Sequence, residues 1–411
     1  MFLPDLVVRS RRVVTARGTR AAAVHIRGGR VIGIADFDDV PAGCAVDEAD
    51  GVVLPGIVDT RVQVQADAPA EADAFRAATQ AAAAGGVTTI VDMPFGDGAA
   101  TITVQALEDK RRRARGACWA DVGFWAGAVA GNTRDLQPLF EAGVFGFACV
   151  ARPRSDPGSA TVTEADLRTV MPGLRNLGAT LLVHAAHARE LESRSKAAES
   201  EGIALVAELC RQYRTTTHIV HLSSSDALTP LFHARAARLP ISAETCPHYL
   251  NLVADEVTAD AAALLQGAPP IRERENREFL WAALAHGLLQ MTVADRFTPL
   301  ELGLSTMWTG ASGRSYPLER IAEWMSAAPA RLAGLTRKGR IDVGYDADLV
   351  VFQPDIESPA ESLAIRSRHA YRGVRLRGRV ERTYLRGVRT YSRRDGWVSS
   401  PPGTLIARSA V

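Results

Sequence analysis

From residue 55 onward, apolar positions alternate between two rhythms. Glu71 to Ala84 is rich in strong helix formers, Gly85-Gly86 halts it, and Val87 to Val91 reads as a short buried strand. The unit recurs as helix Glu164 to Leu177 with strand Thr180 to Val183, and as helix Ala188 to Tyr213 with strand His218 to His221. Helix Asp226 to Arg238 with strand Ile241 to Glu244 continues it. Such alternation predicts parallel strands joined by helical crossovers. So many units over this length suit a closed (β/α)₈ barrel, which typically needs about 250 residues, better than an open sheet.

Both ends follow a different pattern. The first 50 or so residues predict short strands at Leu6 to Val8, Arg12 to Val14, Ala22 to Ile26 and Arg30 to Ile34. Beyond residue 340 short strands return at Ala347 to Phe352, Val374 to Val380 and Arg382 to Tyr391. The polar tail after Arg393 is expected to be loosely ordered. The fold class is therefore α/β: a TIM-type barrel over residues 55–338, with a small β-sandwich-like domain assembled from residues 1–54 and 339–411.

Composition changes this picture little. With 411 residues the chain can bury a large core, and 47% apolar and 23% charged residues are ordinary for a globular protein. A net charge of +2 gives no reason to expect nucleic acid or an anionic membrane as partner. No apolar run approaches the roughly 20 residues that span a bilayer. Five scattered cysteines without paired metal spacing, and no visible signal peptide, give a cytoplasmic protein with reduced thiols.

Several motifs carry chemistry. The segment Pro55-Gly56-Ile57-Val58-Asp59-Thr60-Arg61-Val62-Gln63 closely resembles the first barrel strand of the cyclic amidohydrolases, the group containing allantoinase, hydantoinase and dihydroorotase. The run Ala81 to Pro94, His218-Ile219-Val220-His221-Leu222-Ser223-Ser224, Glu244 to Leu250, Ala268 to Arg272, Ala328 to Leu335 and the re-entry segment Lys338 to Val350 extend the resemblance over most of the chain. It implies the same barrel with a composite β domain, a small cyclic amide or ureide (or its open-chain form) as partner, and a homo-oligomer.

The resemblance also implies a metal centre, and here the chain departs. The family's first strand ends in His-x-His, both metal ligands; these positions are Arg61 and Gln63. Its bridging carbamylated lysine corresponds to Ala148, and none of the three lysines, Lys110, Lys196 and Lys338, falls near a predicted barrel-strand end. His184, His221 and Asp295 remain as family ligands. A guanidinium is a permanent cation, and a fixed charge within a few Å of a divalent ion is costly at low dielectric. The expectation is therefore a site without cofactor, holding one divalent metal at most.

On this reading Arg61 and Arg296 act as fixed cations toward a developing oxyanion, while Asp295, His184 and His221 serve as acid-base groups. Arg296, Asp59, Gln63, Ser223, Ser224 and Pro269 are candidate substrate-binding residues. The predicted reaction is opening of a cyclic amide or ureide C–N bond, or ring closure by cyclisation and dehydration, without the dinuclear centre. The alternatives are a catalytically silent homologue that binds a partner, and a mononuclear metal hydrolase.

Blander roles stand beside these. Arg61 can pair with Asp59 or Asp295 merely to neutralise the pocket, and His184 and His221 can be hydrogen-bonded remnants. The Ser223-Ser224-Ser225 cluster fits a cap for the helix starting near Asp226 better than a substrate contact. His187, His218 and His233 fit packing or surface roles, and His248 fits loop support. Cys149 is expected to point away from the barrel interior. The stretch Phe95-Gly96-Asp97-Gly98 lacks the asparagine usual after Met93-Pro94, which argues against allantoin as substrate.

Overall fold

The computed structural model describes residues 3–64, 71–96, 99–151, 161–185, 195–265, 269–364 and 369–408. Asp97, Gly98, His187, Ala268 and the start of the helix predicted from Ala188 lie outside these residues.

Parallel strands form the predicted barrel. In chain order they are Ile57–Val62, Val87–Asp92, Asp121–Phe124, Gly146–Ala151, Thr180–Ala185, Thr217–Ile219, Ile241–Thr245 and Met291–Thr292. Each pairs in parallel with its successor, except that the two-residue strand Ala126–Gly127 makes the contact between the third and fourth. The first two strands are buried along their whole length, as expected where helices cover one face and the barrel interior the other. Inside, Val91, Trp125, Ala148, Leu182 and Val220 form an apolar cluster, and the Trp125 indole donates to the Thr60 carbonyl at 2.8 Å.

Gly85-Gly86 does two jobs where the first helix, Glu71–Ala84, turns into the second strand. Gly86 takes the left-handed conformation at φ 82° that ends a helix without steric penalty. A Cβ on Gly85 would lie 2.0 Å from the Leu300 carbonyl oxygen. Gly85→Ala is therefore expected to destabilise the fold by about 1–3 kcal/mol, measured as a lower urea midpoint at unchanged slope.

The two chain ends share one eight-stranded sheet, ordered Gly396–Trp397, Val388–Ser392, Arg375–Leu385, Leu349–Pro359, Ala45–Pro55, Leu6–Thr15, Gly18–Arg27 and Arg30–Ala35. Ala45–Pro55 runs parallel to Leu6–Thr15 and antiparallel to Leu349–Pro359, so it joins the two ends. The strands predicted at Leu6 and Arg12 are one strand with an irregularity after Ser10, whose hydroxyl donates to the Gly51 carbonyl at 2.6 Å. The strands predicted at Val374 to Val380 and Arg382 to Tyr391 divide elsewhere: Arg375–Leu385 runs on through Glu381, and the chain turns at Arg386-Gly387, where both residues take positive φ.

The tail is a correction. Rather than lying loose, it packs against the barrel. The Trp397 indole donates to the Gln80 carbonyl at 2.9 Å, and Gly403 N–H donates to the Cys118 carbonyl at 2.8 Å. Ile406 N–H donates to the Val122 carbonyl at 2.9 Å. These backbone bonds hold a segment whose polar sequence offers no periodic signal.

A buried charge cluster locks the same region. The Lys338 ammonium lies 2.8 Å from both Asp121 Oδ2 and Asp348 Oδ2 and is nearly inaccessible. Arg386 pairs with the same Asp121 Oδ2, and on the other oxygen Thr404 N–H donates to Asp121 Oδ1 at 2.8 Å. The cations Lys338 and Arg386 hold the Asp121 carboxyl below its usual range against burial, whereas burial dominates at Asp348 and pushes its carboxyl up.

Candidate active site

The C-terminal ends of the barrel strands gather the charged groups. Arg61, on the first strand, is only 8% exposed. Its Nη1 is 2.7 Å from Asp295 Oδ2 and its Nε 3.8 Å from Glu244 Oε1. Neither nitrogen has an aligned hydrogen-bond acceptor among the described residues, so the contacts are ionic rather than directional. Asp59 lies below, accepting N–H bonds from Arg61 at 3.0 Å and from Ala294 at 2.8 Å. It thereby fastens the first strand to the residues following the last. Burial pushes its pKa up to about 6, opposed by these two backbone bonds and reinforced by Glu244 and Asp295.

Two of the surviving family ligands sit on unusual backbone. His221 takes φ 43° and Asp295 φ 56°, a left-handed conformation uncommon outside glycine. Such strain tends to persist at functional sites, where the surrounding structure enforces it. The His184 and His221 rings pack edge to face with centroids 4.4 Å apart, Nδ1 of the first against Nε2 of the second. Burial, then the charges of Arg61 and His184, hold His221 well below the usual histidine range, so it is a neutral imidazole near pH 7.

Deeper in the barrel Glu244 Oε2 meets His218 Nε2 at 3.1 Å, and His218 Nδ1 meets Ser242 Oγ at 2.7 Å. Glu244 was legible only as part of a family motif; its position as a second anion facing Arg61 comes from the seventh strand presenting it to the first across the barrel interior, which the linear sequence hides. Cys149 lies in the packing outside the barrel strands, as its strand alternation predicts, and burial pushes its thiol up to about 12.

The remaining candidates lie around the rim or away from it. Gln63 and Arg296 line a cavity of about 140 Å³ together with Val62, Asp295, Thr298 and Glu301. The exposed Arg296 guanidinium lies 4.6 Å from the Phe297 ring centre. Ser223 is fully buried, with its N–H and hydroxyl both donating to Glu199 at 2.7 Å. The Ser224 hydroxyl accepts from Asp226 N–H at 3.3 Å, a capping contact. The Pro269 carbonyl accepts from the Tyr249 hydroxyl at 3.1 Å.

Lys110 departs from its expected place. It lies on a helix, but its ammonium reaches the end of the second barrel strand, 2.7 Å from Asp92 Oδ2 and 3.0 Å from the Met93 carbonyl. A long flexible side chain can bridge what strand assignment separates.

Cys246 and His248, from one motif at the end of the seventh strand, are both fully buried. His248 Nδ1 contacts Thr298 Oγ1 at 3.2 Å, while Nε2 has no hydrogen-bond partner among the described residues. Burial pushes its pKa down to about 4, with Asp295 opposing and Arg61 adding to the shift. A Cys-x-His pair ending a barrel strand was the available sequence signal, read there only as a scattered thiol and a loop histidine.

The amidohydrolase family model matches residues 52–389. Allantoinase of Streptomyces avermitilis is 38% identical over 98% of this chain and 99% of its own length. Allantoinase of Arabidopsis thaliana is 31% identical over 92% of this chain and 87% of its own length. Among solved structures, the L-hydantoinase (dihydropyrimidinase) of Arthrobacter aurescens superposes with a TM-score of 0.88 at 25% identity, covering 99% of this chain and 100% of that one.

These findings overturn the expectation of a site without cofactor. A chain that matches this metal-using family nearly end to end points to a metal cofactor, whatever single ligands have changed. The family's dinuclear arrangement itself does not fit the residues present. A buried guanidinium at Arg61 takes one ligand position, Gln63 another, and Ala148 stands among Val91, Leu182 and Val220 where the bridging lysine would be. On the family match and the near-complete coverage by its relatives, the chain belongs to the amidohydrolase family and is one of its cyclic amidohydrolases.

Proposed function

We propose that this protein hydrolyses a C–N bond within a cyclic ureide or related cyclic amide, or closes that bond in reverse, at the C-terminal mouth of the barrel. One observation carries the reading. Arg61, buried and pressed against Asp295, keeps two guanidinium nitrogens without aligned acceptors among the described residues, in a pocket with little access to bulk water.

A cation so placed is worth more than in water, because the low dielectric leaves its field unscreened. Arg61 polarises the ring carbonyl and stabilises the oxyanion that develops on it. Asp295, 2.7 Å away, takes a proton from the attacking water. His221, held neutral by its surroundings, accepts that proton with His184 and returns it to the departing ring nitrogen. Gln63 and Arg296, on the cavity beside Asp295, hold the polar edge of the ring. A metal ion at this mouth would supply a lowered water pKa and further carbonyl polarisation.

The test is turnover by the metal-loaded full chain of hydantoin, dihydropyrimidine and allantoin-type rings, following the open-chain ureido acid. Release of that acid from at least one ring class is expected. Absence of turnover with all three, in either direction, would sink the reading.

A further inference from the structure

We infer that Cys246, His248 and Asp295 form a binding site for one divalent ion of zinc type, sharing only Asp295 with the positions by which the family's metal pair is held. One ligand atom from each lies within 4.8 Å of the others, and all three residues are buried. Cys246 and His248 flank Pro247 at the start of the short helix that follows the seventh strand, and Asp295 follows the eighth. Neighbouring strands of the closed sheet therefore bring them together.

The imidazole carries a second, independent sign. Its Nδ1 is engaged by the Thr298 hydroxyl, itself 3.0 Å from the Tyr371 hydroxyl. That arrangement holds the ring and leaves Nε2 buried, with no partner among the described residues. A buried nitrogen in that state is unfavourable unless something coordinates it. Metal-binding histidines characteristically have their other ring nitrogen oriented by just such a contact.

Charge agrees with the donor set. The carboxylates of Asp295 and Glu244 share the Arg61 guanidinium, so two acidic side chains stand against one fixed cation beside the Cys246 thiol. A divalent ion that forms the S–metal bond as the S–H bond breaks, releasing that proton to solvent, brings the group to neutrality. Thiolate, imidazole and carboxylate together suit zinc or cobalt rather than magnesium or calcium. The site shares Asp295 with the proposed reaction but does not rest on it, because occupancy is read without turnover.

The full chain, stripped with a chelator, is titrated with Co²⁺ alone. About one equivalent is expected to bind, with a thiolate-to-cobalt charge-transfer band in the near ultraviolet and about one proton released per ion. Cys246→Ser should abolish the band and weaken binding more than about tenfold; His248→Gln should weaken binding similarly while keeping the band. His184→Ala should leave both band and stoichiometry intact. No binding, binding without the band, or a band that survives Cys246→Ser overturns the site. So does loss of stoichiometry in His184→Ala with retention in Cys246→Ser. Where Cys246→Ser fails to fold, the chain carrying Cys44→Ser alone, its one half-exposed thiol removed, decides: a band that persists supports the site and a band that is lost overturns it.

Discussion

Arg61→Met is expected to lower kcat/KM for ring opening by about 10²- to 10³-fold, the usual effect of removing one donor aimed at a developing oxyanion. Methionine keeps the length and apolar stem but not the charge, so Asp295 and Glu244 lose their shared cation. Part of the loss would then be structural, since an unpaired buried carboxylate is itself destabilising. Two comparisons separate the effects. Arg61→Lys retains charge but not the planar fork, and should recover stability more than rate. Asp295→Asn, with Arg61 intact, should lose about 10²- to 10⁴-fold in kcat while substrate binding persists. Full activity in both Arg61→Met and Asp295→Asn would show that the chemistry lies elsewhere.

Lys338→Met should have the largest effect on stability, about 3–5 kcal/mol, because it strips the cation from a carboxylate cluster with almost no access to water. The loss appears as an earlier urea midpoint. Adding Asp121→Asn and Asp348→Asn to Lys338→Met should restore part of it, since removing the two buried carboxylates with their cation is gentler than orphaning them. An exposed pair such as Arg112–Asp109 gives the contrast, and Asp109→Asn should shift the midpoint negligibly.

The pH dependence of the cluster has a definite sign. Asp121, with its carboxyl held low, contributes stability that is full above the unfolded carboxylate value of about 4 and fades as pH falls through its lower folded value. Lys338, pushed up by Asp348 and Asp121 against burial, contributes below its unfolded value of about 10 and loses this only at higher pH. Asp348 works the other way, since its raised carboxyl costs stability once ionised. Acid sensitivity of the unaltered protein should therefore shrink in the triple variant, as read from urea midpoints between pH 3 and 7.

The barrel was legible because its signal is local: helix formers, a glycine stop and an apolar run, repeated. Asp59, Arg61 and Asp295 were legible as a group because each sits at a strand end in a recognisable motif. What escaped depended on distance in the chain. The tail gave no periodicity, and its order comes from carbonyls of residues 80, 118 and 122. Lys110 was placed on a helix, and nothing in that placement reveals how far its ammonium reaches. Cys246 and His248 stood in a motif read for loop support. Only the pairing of the seventh and eighth strands sets them beside Asp295.

The anchoring of Asp121 also orders events in time. It opens the third barrel strand, yet its partners are residues 338, 386 and 404. During synthesis, which proceeds at about 5–20 residues per second, the strand exists well before any of them emerges from the ribosome. Until then a carboxylate destined for burial has nothing to neutralise it. The half-made barrel must keep that end wet, and its floor can close only when the last part of the chain arrives.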